Sequence, residues 1–236
     1  MRANLNLIQG DCMEGMAGMR DNEYSLAIVD PPYFSGPEKR AFYGHNEQIT
    51  ERTEYKPLKE SWTVPNFNYF KELVRVSKHQ IIWGCNYYEF GCRLPGRIVW
   101  DKCNPSSNFS DCELAATSVH DSVRLFRYMW NGMMQGRGVE SGHVQQGNKK
   151  LNEKRIHPTQ KPVALYKWLL ANYAKEGDRI LDTHGGSMSS MIACWDGGFD
   201  ATCYEMDPDY YAAAVTRVEK HKAQGQFNFN NQETVT

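Results

Sequence analysis

"RILDTHGGSMSSMIACWDGGFDATCYE", Arg179 to Glu205, decides the fold. A short apolar run, Arg179 to Asp182, reaches a glycine pair; a helical pattern follows over Met188 to Asp196, and a second apolar run covers Ala201 to Glu205. Two strands joined through a helix read as a parallel βαβ unit, since a parallel connection needs a crossover, usually a helix. Helices are expected on either side of the unit, over Val163 to Ala174 and Pro208 to His221. Gly185 and Gly186 let the chain bend tightly at the strand end, and Glu205 ends the next strand, where a carboxylate is placed to accept from two ribose hydroxyls. The turn carries neither a full G-x-G-x-x-G nor a Walker lysine, so phosphate cradling is not supported.

Working back toward the N-terminus, "LNLIQGD" reads as a strand followed by Asp11, and "YSLAIVDPPYF" as a buried strand stopped by two prolines after Asp30. Ligands of open α/β sheets bind at such carboxyl ends, and the prolines present Asp30 and Tyr33 in a nearly fixed relation. "FNYFKELVRVSK" and "QIIWG" make a helix and a short buried strand. "RIVWDK", "CELAATS" and "VRLFRYMW" read as further strands. The last two follow one another without room for a helix, which predicts an antiparallel pair at one edge of the sheet. The expected class is α/β, mostly parallel with an antiparallel edge strand.

The chain has 236 residues, 41% hydrophobic and 23% charged, enough for one domain with a full core. Residues 35–62 are polar and irregular and are expected to form a mobile loop; residues 131–156 lose hydrophobic periodicity and read as a small insertion. No apolar run is long enough to span a bilayer, and the first residues do not resemble a signal peptide, so a cytoplasmic protein is expected. Seven scattered cysteines, never in a C-x-x-C pair, read as free thiols with no metal site. A net charge of −1 exerts no global pull on a polyanion. Any such binding must come from a local patch, and Arg137 to His157 is the most basic stretch, with Lys149 and Lys150 at its centre.

"DPPY" (Asp30 to Tyr33), "HPTQKP" (His157 to Pro162), "ILDTHGGS" and "YEMD" (Tyr204 to Asp207) together resemble the S-adenosyl-L-methionine-dependent DNA amino-methyltransferases, which act on N6 of adenine or N4 of cytosine. The resemblance covers nearly everything from Leu5 to His221. The catalytic motif precedes the cofactor turn, as in the circularly permuted beta group, and the segment between them corresponds to its target-recognition region. The resemblance implies a Rossmann-like methyltransferase sheet and assigns Asp30, Pro31, Pro32 and Tyr33 to catalysis. Asp182, Thr183, His184, Gly185, Gly186 and Ser187 would hold the methionine end of the cofactor, Glu205 its ribose, and Asp11 with the Cys12 backbone its adenine. His157, Thr159 and Lys161 would approach its carboxylate. Tyr33 and Phe34 would flank an extruded base. "WGCNYY" (Trp83 to Tyr88) also matches, and there packing is favoured over chemistry. His184 and Met188 depart from the family's usual phenylalanine and glycine, which puts the turn's geometry and cofactor affinity in question.

An exocyclic amine is a poor nucleophile until its lone pair is localised. The Asp30 carboxylate and the Pro31 carbonyl would each accept one N–H and draw the nitrogen toward a tetrahedral geometry. The expected substrate is double-stranded DNA, with a homodimer possible. Adenine N6 is favoured over cytosine N4 because Asp, rather than Ser, leads the motif. Methylation of RNA or of a protein amide, and a cofactor- or DNA-binding module without turnover, are the alternatives.

Overall fold

Strand β2 (Tyr24–Val29) shows how the sheet buries both faces: Leu26 and Ile28 enter one apolar cluster, Ala27 and Val29 another. Near-continuous burial of this kind marks a parallel strand covered by helices on both sides. The computed structural model describes residues 3–33, 64–103, 110–131, 134–136, 138–139, 142–143 and 152–230. The expected loop over residues 35–62 lies outside them.

One eight-stranded sheet forms the centre. It contains β1 (Leu5–Gln9), β2, β3 (Ser77–Trp83), β4 (Gly96–Asp101), β5 (Cys112–Thr117) and β6 (Val123–Arg127), with β11 (Arg179–Asp182) and β12 (Asp200–Glu205). The spatial order is β1-β12-β11-β2-β3-β5-β4-β6. Helices α1 (Cys12–Ala17) and α2 (Phe67–Val76) cover one face through Met16, Phe70 and Leu73; α3 (Val163–Tyr173), α4 (Ser189–Gly197) and α5 (Pro208–Asn230) cover the other through Leu165, Leu169, Met191 and Val218. Asn66 caps α2 by accepting the Asn68 and Tyr69 N–H groups. The last helix runs past His221, where the sequence pattern ends it, to Asn230.

The sheet is mostly parallel, as expected, with β5 alone running against its neighbours. The expected antiparallel pairing of β5 with β6 is not formed. β5 lies inside the sheet, antiparallel to both β3 and β4, and β6 is the edge strand, parallel to β4. The five residues between β5 and β6 pass over the start of β4 instead of closing a hairpin. Gly96 makes the crossing possible: a Cβ there would lie 2.2 Å from the His120 carbonyl oxygen and 2.7 Å from Thr117 Cγ2. The Arg97 N–H donates to the Ser122 carbonyl at 2.9 Å and fixes the crossing strand.

The expected insertion folds locally. β7 (Met129–Asn131) and β8 (Met134–Gly136) form one antiparallel ribbon, β9 (Gly138–Val139) and β10 (Gly142–His143) another. The Gln135 side chain ties the first ribbon back by exchanging two hydrogen bonds with the Glu153 backbone, at 3.0 and 2.8 Å. Part of the basic stretch turns inward: Arg155 Nη2 donates to the Trp130 carbonyl at 2.8 Å, and His157 is buried. Lys149 and Lys150 lie outside the described residues.

Gly96→Ala should destabilise the fold by about 1–3 kcal/mol, the usual cost of forcing a methyl group into packed backbone. At roughly 2–4 °C per kcal/mol for a chain of this size, calorimetry should show a clearly lower Tm. A parent-like Tm would mean that the connection does not depend on this close approach.

Candidate active site

The carboxyl ends of β1, β2, β11 and β12 lie along one edge of the sheet because these strands are parallel. A cavity of about 440 Å³ opens there. Asp11, Asp30, Glu205 and Asp207 line it, and among the described residues no lysine or arginine does. Its other walls include Cys12, Pro31, Pro32, Tyr33, Tyr69, His157, Thr159, Thr183, His184, Gly185, Gly186 and Ser187. Such a lining favours a ligand of net positive charge over a phosphate.

Asp11 caps α1, accepting the Met13 N–H at 2.8 Å, so its carboxylate is held at the cavity rim. Burial and the neighbouring Asp11 push the Cys12 thiol up to about 12. This sulfur is therefore no nucleophile near neutrality. Glu205 accepts the Gly186 N–H at 2.7 Å and the Asp207 N–H at 2.8 Å. A carboxylate has about four acceptor sites, so roughly two remain for a ligand.

The turn after β11 answers the question raised by Met188. Met188 adopts the left-handed conformation, φ 53° and ψ 36°, that glycine takes without strain. Its side chain is fully buried in the core, which offsets a cost of roughly 1–2 kcal/mol. The turn thus keeps a glycine-like path. His184 occupies the phenylalanine position as a ring: it packs edge-on against Tyr69 at 5.3 Å, and its Nδ1 lies 2.9 Å from Thr183 Oγ1. Burial outweighs the pull of Asp11 and brings its pKa down to about 4, so the ring is neutral.

Two residues expected at the cofactor lie elsewhere. Asp182 sits behind the turn, accepting the Ser190 hydroxyl at 2.5 Å and the His184 N–H at 3.0 Å. Burial pushes its carboxyl up to about 7, with those hydrogen bonds opposing. It braces the turn and does not line the cavity. Lys161 reaches under Asp30 instead: its Nζ lies 2.5 Å from Asp30 Oδ2, 2.9 Å from Glu113 Oε2 and 2.8 Å from the Tyr33 hydroxyl. A buried ammonium goes where the carboxylates are, and here two of them face it.

The Tyr33 hydroxyl donates to Asp30 Oδ1 at 2.6 Å, and its ring stacks on Tyr87 with centroids 5.2 Å apart. Gly84, at φ 72°, makes room: a Cβ there would lie 2.1 Å from the Tyr33 ring. The Tyr88 hydroxyl donates to the Pro31 carbonyl at 2.7 Å and the Pro32 carbonyl at 2.9 Å. "WGCNYY", where the sequence favours packing, thus both packs on "DPPY" and hydrogen-bonds to it. Glu113 and Tyr69 were invisible as site residues because no spacing relates them to the motifs; for Tyr88 the Tyr-Tyr pair in "WGCNYY" was the available signal. Phe34 lies outside the described residues.

The buried His157 and the half-buried His184 predict a pH dependence of stability. His157 is also brought down to about 4, by burial and by Lys161 against the pull of Asp207. Above pH 6.5 neither state binds protons at these rings. As pH falls from 6.5 toward 4 the unfolded chain takes up protons that the folded rings refuse, so stability drops by about 1.4 kcal/mol per pH unit for each ring. His184→Phe should remove one ring's share of that slope between pH 6 and 4.5 in urea titrations, and an unchanged slope would mean that His184 is not held neutral.

The family model described as DNA methylase (N6_N4_Mtase) matches residues 120–216, a stretch that holds "HPTQKP", the turn and Glu205 but not Asp30. The type II methyltransferase M2.MboI of Moraxella bovis is 26% identical over 216 residues, 80% of this chain and 78% of the relative. The M1.HpyAVI–SAM complex superposes with a TM-score of 0.56 at 16% identity, covering 91% of this chain and 98% of that one. The cytosine-N4-specific PvuII DNA methyltransferase superposes equally, at 0.56 and 15% identity, covering 94% and 92%. The family model and the sequence relatives are DNA methyltransferases and the solved structures share this fold, so the chain is similar to the N6/N4 DNA amino-methyltransferases over most of its length.

Proposed function

We propose that this protein transfers a methyl group from S-adenosyl-L-methionine to N6 of adenine in double-stranded DNA, directly and with the base flipped out. The observation that carries the reading is the adjacency of the Asp30 carboxylate and Pro31 carbonyl to a cavity lined by four carboxylates and, among the described residues, by no lysine or arginine. That lining fits S-adenosyl-L-methionine, whose sulfonium and ammonium outweigh its carboxylate. Glu205 would hold the ribose diol, the Asp11–Cys12 segment the adenine, and the Thr183–Ser187 turn the methionine arm. When bound, the cofactor supplies an electrophilic methyl group.

The chain's own task is to make the amine nucleophilic. Asp30 accepts from Tyr33 and Lys161, and Pro31 from Tyr88, yet each retains an unused lone pair that one N–H of the amine can occupy. Two fixed acceptors draw both hydrogens to one side and leave the nitrogen lone pair aimed at the methyl group, so alignment supplies much of the rate. The proton shed after transfer has the Asp30 carboxylate beside it. Because the amine is inaccessible in a stacked duplex, the base must leave the helix, and Tyr33, backed by Tyr87, offers a ring on which it stacks for roughly 1–3 kcal/mol. Residues 131–156 would make the DNA contacts that choose the target. Asp at the head of the motif favours adenine. Incubation with labelled cofactor and mixed DNA, followed by digestion to nucleosides, tests the reading: label in N6-methyldeoxyadenosine supports it, label in N4-methyldeoxycytidine overturns the base assignment, and unlabelled DNA overturns the activity.

Glu205→Ala should weaken cofactor binding by roughly 2–4 kcal/mol, from two charge-assisted hydrogen bonds partly recovered by water. Equal calorimetric affinity in variant and parent would remove Glu205 from the ribose. Asp30→Ala should leave cofactor affinity intact and slow single-turnover transfer at least ten- to hundred-fold, the equivalent of one hydrogen bond to a charged group at about 1.5–3 kcal/mol. Asp30→Asn keeps an acceptor oxygen and should retain partial activity. Transfer by Asp30→Ala at the parent's rate would exclude Asp30 as the acceptor.

A further inference from the structure

Beneath the catalytic motif lies a row of alternating charges. Lys161, with 3% of its side chain exposed, bridges Asp30 and Glu113, and the second oxygen of Glu113 takes Lys102 Nζ at 2.6 Å. The row starts at the cavity wall and ends beside β5, the one strand that runs against the sheet. Its members come from four separate parts of the chain.

We propose that Lys161 is a positioning residue for methyl transfer: seated between Asp30 and Glu113, it keeps the Asp30 carboxylate charged and aimed, and Glu113, itself tied to Lys102, keeps Lys161 in place. The inference rests on reading Asp30 as the acceptor of the target amine. A protonated Asp30 would present an O–H donor to an amine whose hydrogens need acceptors, so its charge state decides whether the motif works. Asp30 is half-buried, with 14% of its side chain exposed, and its desolvation, with the like charge of Glu113, pushes its carboxyl up. Among the described residues Lys161 is the one cation paired with it. The other groups facing it are the Tyr33, Tyr88 and Tyr166 hydroxyls and two like charges, Glu113 and Asp182. Glu113 has two ammonium partners where Asp30 has a share of one. Burial opposes its ionisation too, but Lys161 and Lys102 together bring it down to about 2, so Asp30 is the weaker acid of the pair.

Stability alone does not account for the arrangement. Desolvation of buried ions commonly cancels their attraction, and well-packed apolar residues would hold the fold as well. The scaffold around Lys161 is also rigid in a way that suits aiming: the Gln160 carbonyl accepts Trp130 Nε1–H at 2.8 Å, its side chain accepts the Ile156 N–H at 2.9 Å, and α3 begins two residues after Lys161.

The test is the titration of the Asp30 carboxyl in the free protein, followed by carbon-13 NMR of labelled aspartate, with Asp30→Asn identifying the signal. Lys161→Met should move its midpoint upward by roughly one to three pH units, the usual effect of losing a contacting opposite charge. Glu113→Gln removes a like charge and should move it downward. Lys161→Arg should keep it near the parent's. Single-turnover transfer, measured across pH, should show its acid limb displaced in the same two directions, which a packing role would not produce. A midpoint unmoved in Lys161→Met, or displaced the same way in both variants, overturns the proposal. Should Lys161→Met not fold, Glu113→Gln decides alone: a midpoint unmoved or raised overturns it. A parent protein that methylates no DNA would sink the functional reading, while the titration would still decide the pairing.

Discussion

Parallel pairing of β1, β12, β11 and β2 is the constraint on which the site depends. Parallel neighbours bring their carboxyl ends to one edge, and the crossover helices they require cover the faces and leave that edge open. Acids at strand ends therefore meet however far apart they lie in the chain. Asp30 precedes Glu205 in sequence, yet both line one cavity. The sheet is indifferent to motif order, which is why a permuted arrangement builds an ordinary methyltransferase edge.

Gathering carboxylates at a half-buried edge carries a desolvation cost, and the molecule meets it in two ways. At the ends of β11 and β12, Asp182 and Glu205 take backbone N–H and hydroxyl donors and, among the described residues, no cation. The cavity keeps its negative lining and its complementarity to a sulfonium. At the end of β2, Asp30 takes an ammonium instead, and that ammonium does not enter the cavity. One arrangement suits a residue that attracts a cation. The other suits the acceptor role proposed for Asp30.

Aromatic and glycine placement does the rest of the aiming. Tyr33 is held between a hydroxyl bond to Asp30 and a ring stack on Tyr87, over a glycine whose missing Cβ leaves it space. Tyr88 holds the Pro31 carbonyl from outside the motif. These contacts join the end of β2 to the turn after β3, two adjacent parallel strands, so the motif is fixed by its neighbour as much as by its prolines.

The sequence by itself determined what depends on local pattern. Apolar period and punctuation placed β11, α4 and β12 within a residue or two, and "DPPY" with "ILDTHGGS" located the cavity's two halves. Whatever depends on through-space competition was decided by tertiary structure. A short loop between β5 and β6 reads as a hairpin, but Gly96 lets it cross β4, and the strand order changes with it. Lys161 reads as a cofactor ligand, but its buried ammonium faces the Asp30 and Glu113 carboxylates, so it pairs with them. Asp182 reads as a ligand as well, but the turn's own N–H and the Ser190 hydroxyl claim it. In each case residue type and spacing name a group's capacity, while burial and the nearest partner, which no linear pattern encodes, select its use.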